Sequence, residues 1–308
     1  MSPQSVFVCG TTGVQGGAVA RALLAKGVAV HSVTRDVSSA RTKEMAALGV
    51  KFWPGDFDNK EALESAIAGT SSVFLNFFPD FTDLGANLRQ AKLITSVALA
   101  AGVEQVVYTS SLGVFKPERM DCWDPQSLVA AFLGSKVDIE NAVRTSGFKH
   151  WTILRPGLFM TNFTAPAIRQ YGAFPQTGVL ETAWKADTPL PLVSPRTIGA
   201  FSSAAILNPV GFHTKEIEYA DEFVTPEDVI KKLSATSGKK LKARYRSDEE
   251  VEQAKKEDPF VGGQVVTREI WKLIDMDRVH QLGIPLTTFD HFLEEYRADV
   301  VETFSQAP

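Results

Sequence analysis

The stretch "VCGTTGVQGGAVA", Val8 to Ala20, decides the fold. It follows a short apolar run rich in β-branched residues and opens "VQGGAVARALLAKG", which has helical spacing and stops at Gly27. Gly10, Gly13 and Gly16 recur at every third position. Gly10 permits a tight turn, Gly13 lets the backbone approach a pyrophosphate, and Gly16 lets the helix pack close to the sheet. The helix start offers unpaired N–H groups and a partial positive charge to phosphates. Thr12, Val14 and Gln15 complete the loop expected to cradle them. A glycine pattern alone is a weak signal; at the first strand-turn-helix of an alternating chain it is a strong one.

The alternation continues from there. "VAVHSVTR" reads as a strand and "SSARTKEMAALG" as a helix, with Ser38 or Ser39 as N-cap and Gly49 at its end. "VKFWPGD", "SSVFLNFF", "VEQVVYTSS" and "HWTILRP" are further strands, with helical segments between them. Strands alternating with helices predict a doubly wound parallel α/β sheet of the Rossmann kind. After Arg155-Pro156-Gly157 the rhythm breaks. "LFMTNFTAPAIRQYGAFPQTGVLETAWKADTPLPLVS" alternates poorly and reads as irregular loops over a pocket. "RTIGAFSSAAILNP" returns to helix, "HTKEIEYA" to strand, and "TPEDVIKKLSATSG" to a helix capped by Thr225 with Pro226 in its first turn. The expected division is a cofactor-binding Rossmann domain over 1–157 and a smaller, mixed α/β substrate lobe over 158–308, some of whose segments return to the Rossmann core.

The second strand bears on the nucleotide. An NAD site ordinarily places Asp or Glu at this strand end to accept from the ribose 2′-OH. Here the residues are Thr34-Arg35-Asp36. Arg35 comes first, and a guanidinium can hold a 2′-phosphate bidentately, with Arg41 or Lys43 assisting. Asp36 facing the ribose would instead favour NAD. The expectation is NADP(H). After the third strand, Asp56 and Phe57 are placed to meet the adenine, by hydrogen bond and by stacking; capping of the strand end is the other reading of Asp56.

Composition excludes other classes. The 308 residues are 44% hydrophobic and 22% charged, with a net charge of -4. An acidic balance argues against a nucleic-acid partner. No apolar run approaches the roughly 20 residues that span a bilayer, and "MSPQSVFVCG" lacks the charged start of a secretory signal. Two cysteines, Cys9 and Cys122, make no disulfide framework, so a cytoplasmic setting is the default. No motif for metal binding or for a serine nucleophile is present. Twenty phenylalanines suggest a large apolar interior or an aromatic pocket.

Together, "GTTGVQGGAVARALL", "VTRD", "GDFDN", "VVYTSS", the lysine before "IENAV", and "ILRPGLFMTNF" resemble the NmrA-like family of atypical short-chain dehydrogenases, which is related to isoflavone-reductase-like enzymes. The resemblance implies a Rossmann domain with a smaller substrate lobe, and NADP(H). It covers redox-responsive regulators as well as enzymes of secondary metabolism, so it leaves activity open. The helix "AAFLGSKVDIENAV" carries Lys136, and four residues earlier stands Phe132 where short-chain dehydrogenases ordinarily have the proton-donating tyrosine. By resemblance, Lys136 lies near the nicotinamide. There it either transfers a proton or holds the ribose. Ser110 or Ser111, at the end of the fifth strand, is the expected serine of the catalytic set. Asn76, Phe77, Pro156 and Phe159, on segments following strand ends, join the expected cofactor contacts. Phe78, Phe81, Phe115, Phe132, Phe163, Tyr171 and Trp184 are the expected substrate-binding aromatics, suited to a large apolar ligand.

Three functions fit this reading. The preferred one is an NADP(H)-dependent oxidoreductase of secondary metabolism that reduces a hydrophobic aromatic small molecule without the usual tyrosine. The second is a redox-sensing regulator that reads NADP+/NADPH and binds a protein partner. The third is a non-redox condensation or cyclisation scaffolded by bound cofactor.

Overall fold

The structure is a computed structural model that describes residues 5–78, 80, 82–114 and 116–308, with the backbone alone at 257 and 259. The chain runs β1 (Ser5–Val8), α1 (Val14–Leu24), β2 (Ala29–Thr34), α2 (Ala40–Ala47), β3 (Val50–Pro54), α3 (Lys60–Ile67), β4 (Ser72–Leu75), α4 (Ala86–Ala100) and β5 (Gln105–Thr109). Next come α5 (Leu128–Arg144), β6 (His150–Pro156), β7 (Leu158–Phe159), α6 (Phe174–Thr177), β8 (Val179–Thr182), β9 (Leu190–Val193), α7 (Pro195–Leu207), α8 (Pro209–Phe212) and β10 (Lys215–Tyr219). The remainder holds β11 (Glu222–Val224), α9 (Pro226–Ser237), β12 (Lys242–Tyr245), α10 (Asp248–Glu257), α11 (Pro259–Ile270), α12 (Met276–Gln281), α13 (Phe289–Glu295) and α14 (Arg297–Thr303).

Seven strands form one sheet in the order β10-β6-β5-β4-β1-β2-β3. Each neighbouring pair from β3 to β6 is parallel. The direction of winding reverses between β1 and β4, as the doubly wound Rossmann reading requires. In such sheets, ligands bind outside the carboxyl ends of the strands at that switch.

The chain divides into two compact units that interleave in sequence. The first comprises Met1–Val114, Phe132–Arg155 and Pro195–Ile217; the second comprises Phe115–Ala131, Pro156–Ser194 and Glu218–Pro308. In the first unit, Phe7, Val73, Leu75, Val106 and Ile153 of the strands pack with Leu63 and Ile67 of α3, Ile94 of α4, and Ile139 and Val143 of α5. Each such side chain, fully buried, contributes about 1.5–3 kcal/mol. Helices α1 and α7 lie backbone against backbone. A Cβ on Gly199 would stand 2.7 Å from the Ala18 carbonyl oxygen, so nothing larger than glycine fits there without a shift. Of the two serines offered as cap of α2, Ser39 is the one that accepts, from the Thr42 N–H at 3.2 Å.

The second unit corrects one expectation. The segment read as irregular loops contains β7, β8 and β9, which build a three-stranded sheet β11-β9-β7 and a two-stranded sheet β12-β8. Its aromatic residues fill a core. Phe163 stacks on Tyr171 at 5.6 Å and meets Phe289 at 6.0 Å, while Trp184 meets Tyr171 edge-on at 5.7 Å. The strands are at most four residues long and Pro and Gly break the segment, so alternation never runs far enough to register. The later helices form as the sequence indicates. Thr225 caps α9 by accepting from the Asp228 N–H at 3.1 Å, and Ser247 with Glu250 forms a capping box on α10.

Candidate functional site

The site begins at the glycine loop of the first unit. Gly10 has φ +67°, and the Gly13 N–H donates to its carbonyl at 2.9 Å, closing the turn. A Cβ on Gly16 would lie 2.3 Å from the Gly10 oxygen and 2.4 Å from the Cys9 oxygen, so the start of α1 is seated on the turn. At Gly13, a Cβ would meet the Gly10 oxygen at 3.4 Å, an ordinary contact, so the fold itself does not demand glycine there. No side chain caps α1 at Gly13 and no acid stands in its first turn, which leaves the positive helix end open to an anion. Gln15 is engaged elsewhere: it accepts from the Thr109 hydroxyl at 2.8 Å and donates to Asn76 Oδ1 at 3.1 Å. This relay fastens the loop to the ends of β4 and β5. Val14 is exposed beside it.

A cleft of about 710 Å³ opens at the carboxyl ends of β1, β2, β3 and β4. Of the expected cofactor residues, it brings together Gly10, Thr12, Arg35, Asp56, Phe57 and Phe77. Arg35 is exposed on its rim. Asp36 also lines it, but its carboxylate accepts from the Ser38 N–H at 2.8 Å and from the Ser38 hydroxyl at 2.6 Å. Those bonds hold its pKa below the usual carboxylate range and tie the group into its own turn. Arg41 reaches from α2 towards the loop, with Nη1 3.5 Å from the Thr12 oxygen. Asp56 accepts from the Asp58 and Asn59 N–H groups at 3.0 and 3.1 Å, so it caps the turn into α3. Phe57, half-buried, meets Phe77 edge-on at 5.8 Å, and Phe78 is 86% exposed at the mouth. Sequence reading missed Asn87 and Gln90 of α4, which also line the cleft. Their i, i+3 spacing on one helix face was the available signal.

Lys136 lies on α5 in the same unit, with Nζ 5.4 Å from the centre of the Phe132 ring. Loss of water around the ammonium pulls its pKa down to about 8, against the pull of Glu140. On β5, Tyr108 is fully buried; burial pushes its phenol pKa up, the Glu140 carboxylate adds to this, and the neighbouring Ser110 hydroxyl partly offsets both. Tyr108 Oη and Ser110 Oγ make no hydrogen bond of normal length and angle among the described residues. Ser111 instead donates to the Leu112 carbonyl at 3.1 Å. Of the two candidate serines, Ser110 is therefore the one with hydrogen-bonding capacity to spare.

Pro156, Phe159, Phe163, Tyr171 and Trp184 belong to the second unit, the last three in its core. Phe81 and Phe115 lie outside the described residues. His31 is structural: its Nδ1 lies 2.9 Å from the Ala66 oxygen and its ring packs on Trp53. No described helix is long and apolar enough to cross a membrane.

A parallel sheet with an uncapped, glycine-rich helix start at its switch point defines a Rossmann protein. The chain belongs to the NmrA-like family, whose model matches residues 2–263. It is 30% identical over 263 residues to the NmrA-like family domain-containing oxidoreductase malD of Malbranchea aurantiaca, covering 78% of this chain and 74% of that protein. Among solved structures, it resembles the NADPH-dependent quinone oxidoreductase QOR2 of Escherichia coli complexed with NADPH, with TM-score 0.71, 22% identity, and 94% and 99% of the two chains covered. It also resembles NmrA, a negative transcriptional regulator, with TM-score 0.73, 17% identity, and 98% and 96% covered. At these identities, the structural likenesses bear on the fold.

Proposed function

We propose that the protein is an NADP(H)-dependent oxidoreductase that reduces a hydrophobic, aromatic small molecule of secondary metabolism, and that it works without the tyrosine of ordinary short-chain dehydrogenases. The first unit is the cofactor-binding part. The residues present suit the dinucleotide: the open N-terminus of α1 takes the pyrophosphate, with Gly13 leaving room for it. Arg35 takes the 2′-phosphate, while Asp36, held by Ser38, does not compete for the ribose. Phe57 offers a face to the adenine. The name of the malD relative and the NADPH of the QOR2 complex support the same reading.

When bound, the cofactor supplies or accepts a hydride. The chain's own residues manage the proton. The observation that carries the reading is Lys136: a half-buried ammonium over an apolar ring, with its pKa near 8, in the unit that holds the open helix start. A group that is part protonated near neutral pH can give a proton to a developing anion. Ser110, whose hydroxyl makes no hydrogen bond of normal length and angle among the described residues, orients the carbonyl or quinone oxygen that receives it. Phe132 and the exposed Phe78 favour an apolar aromatic substrate over a charged one.

The test is a calorimetric titration with NADP+, NADPH, NAD+ and NADH, followed by NADPH oxidation with a panel of naphthoquinones and aromatic ketones. Tight NADPH binding with turnover on at least one acceptor is expected. Failure of every acceptor, with NADP+ bound far more tightly than NADPH, would sink the enzyme reading and support the redox-sensing regulator.

A further inference from the structure

One helical turn beyond Lys136 sits Glu140, 1% exposed. An isolated carboxylate there would cost several kcal/mol, so it must be paired. Arg155, on β6 and equally buried, grips both of its oxygens: Nε donates to Oε1 at 2.8 Å and Nη2 to Oε2 at 2.5 Å. Arg144, a turn further along α5, donates from Nη2 to Oε2 at 2.7 Å. Glu216, on β10, closes the set by accepting from Arg144 Nε at 2.7 Å and from Arg155 Nη2 at 2.5 Å. The two carboxylates and two guanidiniums cancel in formal charge. Lys136 and Glu140 are an i, i+4 pair, so they share a helix face.

We propose that this buried quartet is the positioning element of Lys136: Glu140 supplies its counter-charge, and Arg155 and Arg144 hold that counter-charge at partial strength, so that the lysine releases its proton readily. The proposal rests on the proton-transfer role given to Lys136 above. Among the described residues, the groups facing the lysine and Glu140 come from α5, β5, β6 and β10. On α5 they are the apolar Phe132 ring, Glu140 itself and Arg144; from β5 comes the neutral Tyr108 phenol, with the Ser110 hydroxyl just beyond the strand end. From β6 and β10 come Arg155 and Glu216. A carboxylate left free by its guanidiniums would bind the ammonium fully and make it a poor acid. Without Glu140, two guanidiniums would stand against the single carboxylate of Glu216, and the ammonium would shed its proton at lower pH.

The two perturbations therefore act in opposite directions, which a merely structural network would not do. The experiment uses the whole protein without added cofactor. Lys136 is labelled by trace acetic anhydride from about pH 6 to about pH 11, and the fraction acetylated is read by peptide mass spectrometry, giving its titration midpoint directly. Arg144→Met should raise the midpoint by about one pH unit, and Glu140→Gln should lower it by about one unit. If Glu140→Gln fails to fold, Glu216→Gln, which removes the same charge at a less buried position, should shift it downwards. Midpoints that stay put, or that move in the same direction in both variants, overturn the proposal. The pH profile of NADPH oxidation then separates the two readings. A labelling shift that the profile follows supports both. A labelling shift that it ignores keeps the quartet's control of the lysine and removes the lysine from the chemistry.

Discussion

Gly16→Ala puts a methyl where the start of α1 meets the turn. Its Cβ would lie 2.3 Å from the Gly10 oxygen, whereas ordinary contact begins at 3.4 Å, so the helix start has to retreat by about 1.1 Å (3.4 − 2.3). Both opposing atoms, the Gly10 and Cys9 oxygens, are backbone and cannot swing aside. Overpacking of this kind costs about 2–3 kcal/mol. For a unit of this size, that lowers the melting temperature by about 4–12 °C. The same retreat carries the open N–H groups away from the phosphates, and a loss of about 1.4 kcal/mol there weakens NADPH binding about tenfold. Gly13→Ala is the control. Its Cβ meets the Gly10 oxygen at 3.4 Å and its backbone is extended, with φ -100° and ψ 179°, so the fold should lose less than about 0.5 kcal/mol. The methyl nevertheless stands where the pyrophosphate approaches, and NADPH affinity should still fall about tenfold. Circular dichroism melts and calorimetric titrations read the two effects separately. Wild-type melting in Gly16→Ala would refute the seating of the helix on the turn. Wild-type NADPH affinity in Gly13→Ala would refute the loop as phosphate cradle.

Further expectations concern the charges. Arg35→Asp should weaken NADPH binding by about 10–100-fold, the worth of a charge-assisted pair, and narrow the preference over NADH; unchanged selectivity in paired titrations would point to Arg41 instead. Lys136→Met should abolish NADPH oxidation while leaving the fold intact, and turnover that survives would end its proton-transfer role. Because the folded chain holds Lys136 near pKa 8, against an ordinary value of 10.5, the unfolded chain binds more protons between those values. Wild-type stability should therefore rise relative to Lys136→Met from about pH 8 to about pH 10.5, with the full penalty in force below that window; urea midpoints that keep a constant difference would contradict the burial of the ammonium. Phe132→Tyr places a hydroxyl one turn before Lys136, and acceptor turnover should increase. No change would favour a protein that senses its nucleotide.

The first unit was legible because its signals are local. Strands of four to seven residues alternate with helices, and the glycine triplet sits at the one turn where its spacing has a mechanical meaning. The second unit was not legible, because Phe163, Tyr171 and Trp184 are brought together by contacts distant in sequence, and composition alone does not separate a core from a pocket wall. Within the candidate site, Arg35 could be read from its place after the second strand and Lys136 from the family resemblance, but the commitments of their neighbours could not. That Asp36 is spent on Ser38, Asp56 on the turn into α3, and Ser111 on Leu112 depends on turn geometry. Glu140 was visible in "IENAV" as an acid on the same stripe as Leu133 and Val143; its partner Arg155 comes from β6, and Glu216, which Arg155 also holds, from β10, and only the folded sheet delivers them.

The close seating of α7 on α1 has a consequence during synthesis. Ala18 and Gly199 touch across 181 residues of chain (199 − 18). At about 5–20 residues per second, the ribosome needs about 9–36 s to produce the second partner after the first. Throughout that interval, the nascent α1 presents its α7-facing surface uncovered, and the whole of the segment 156–194 emerges before the cover arrives. The newborn chain is thus obliged to wait with that face of α1 open, a defined surface for a defined time.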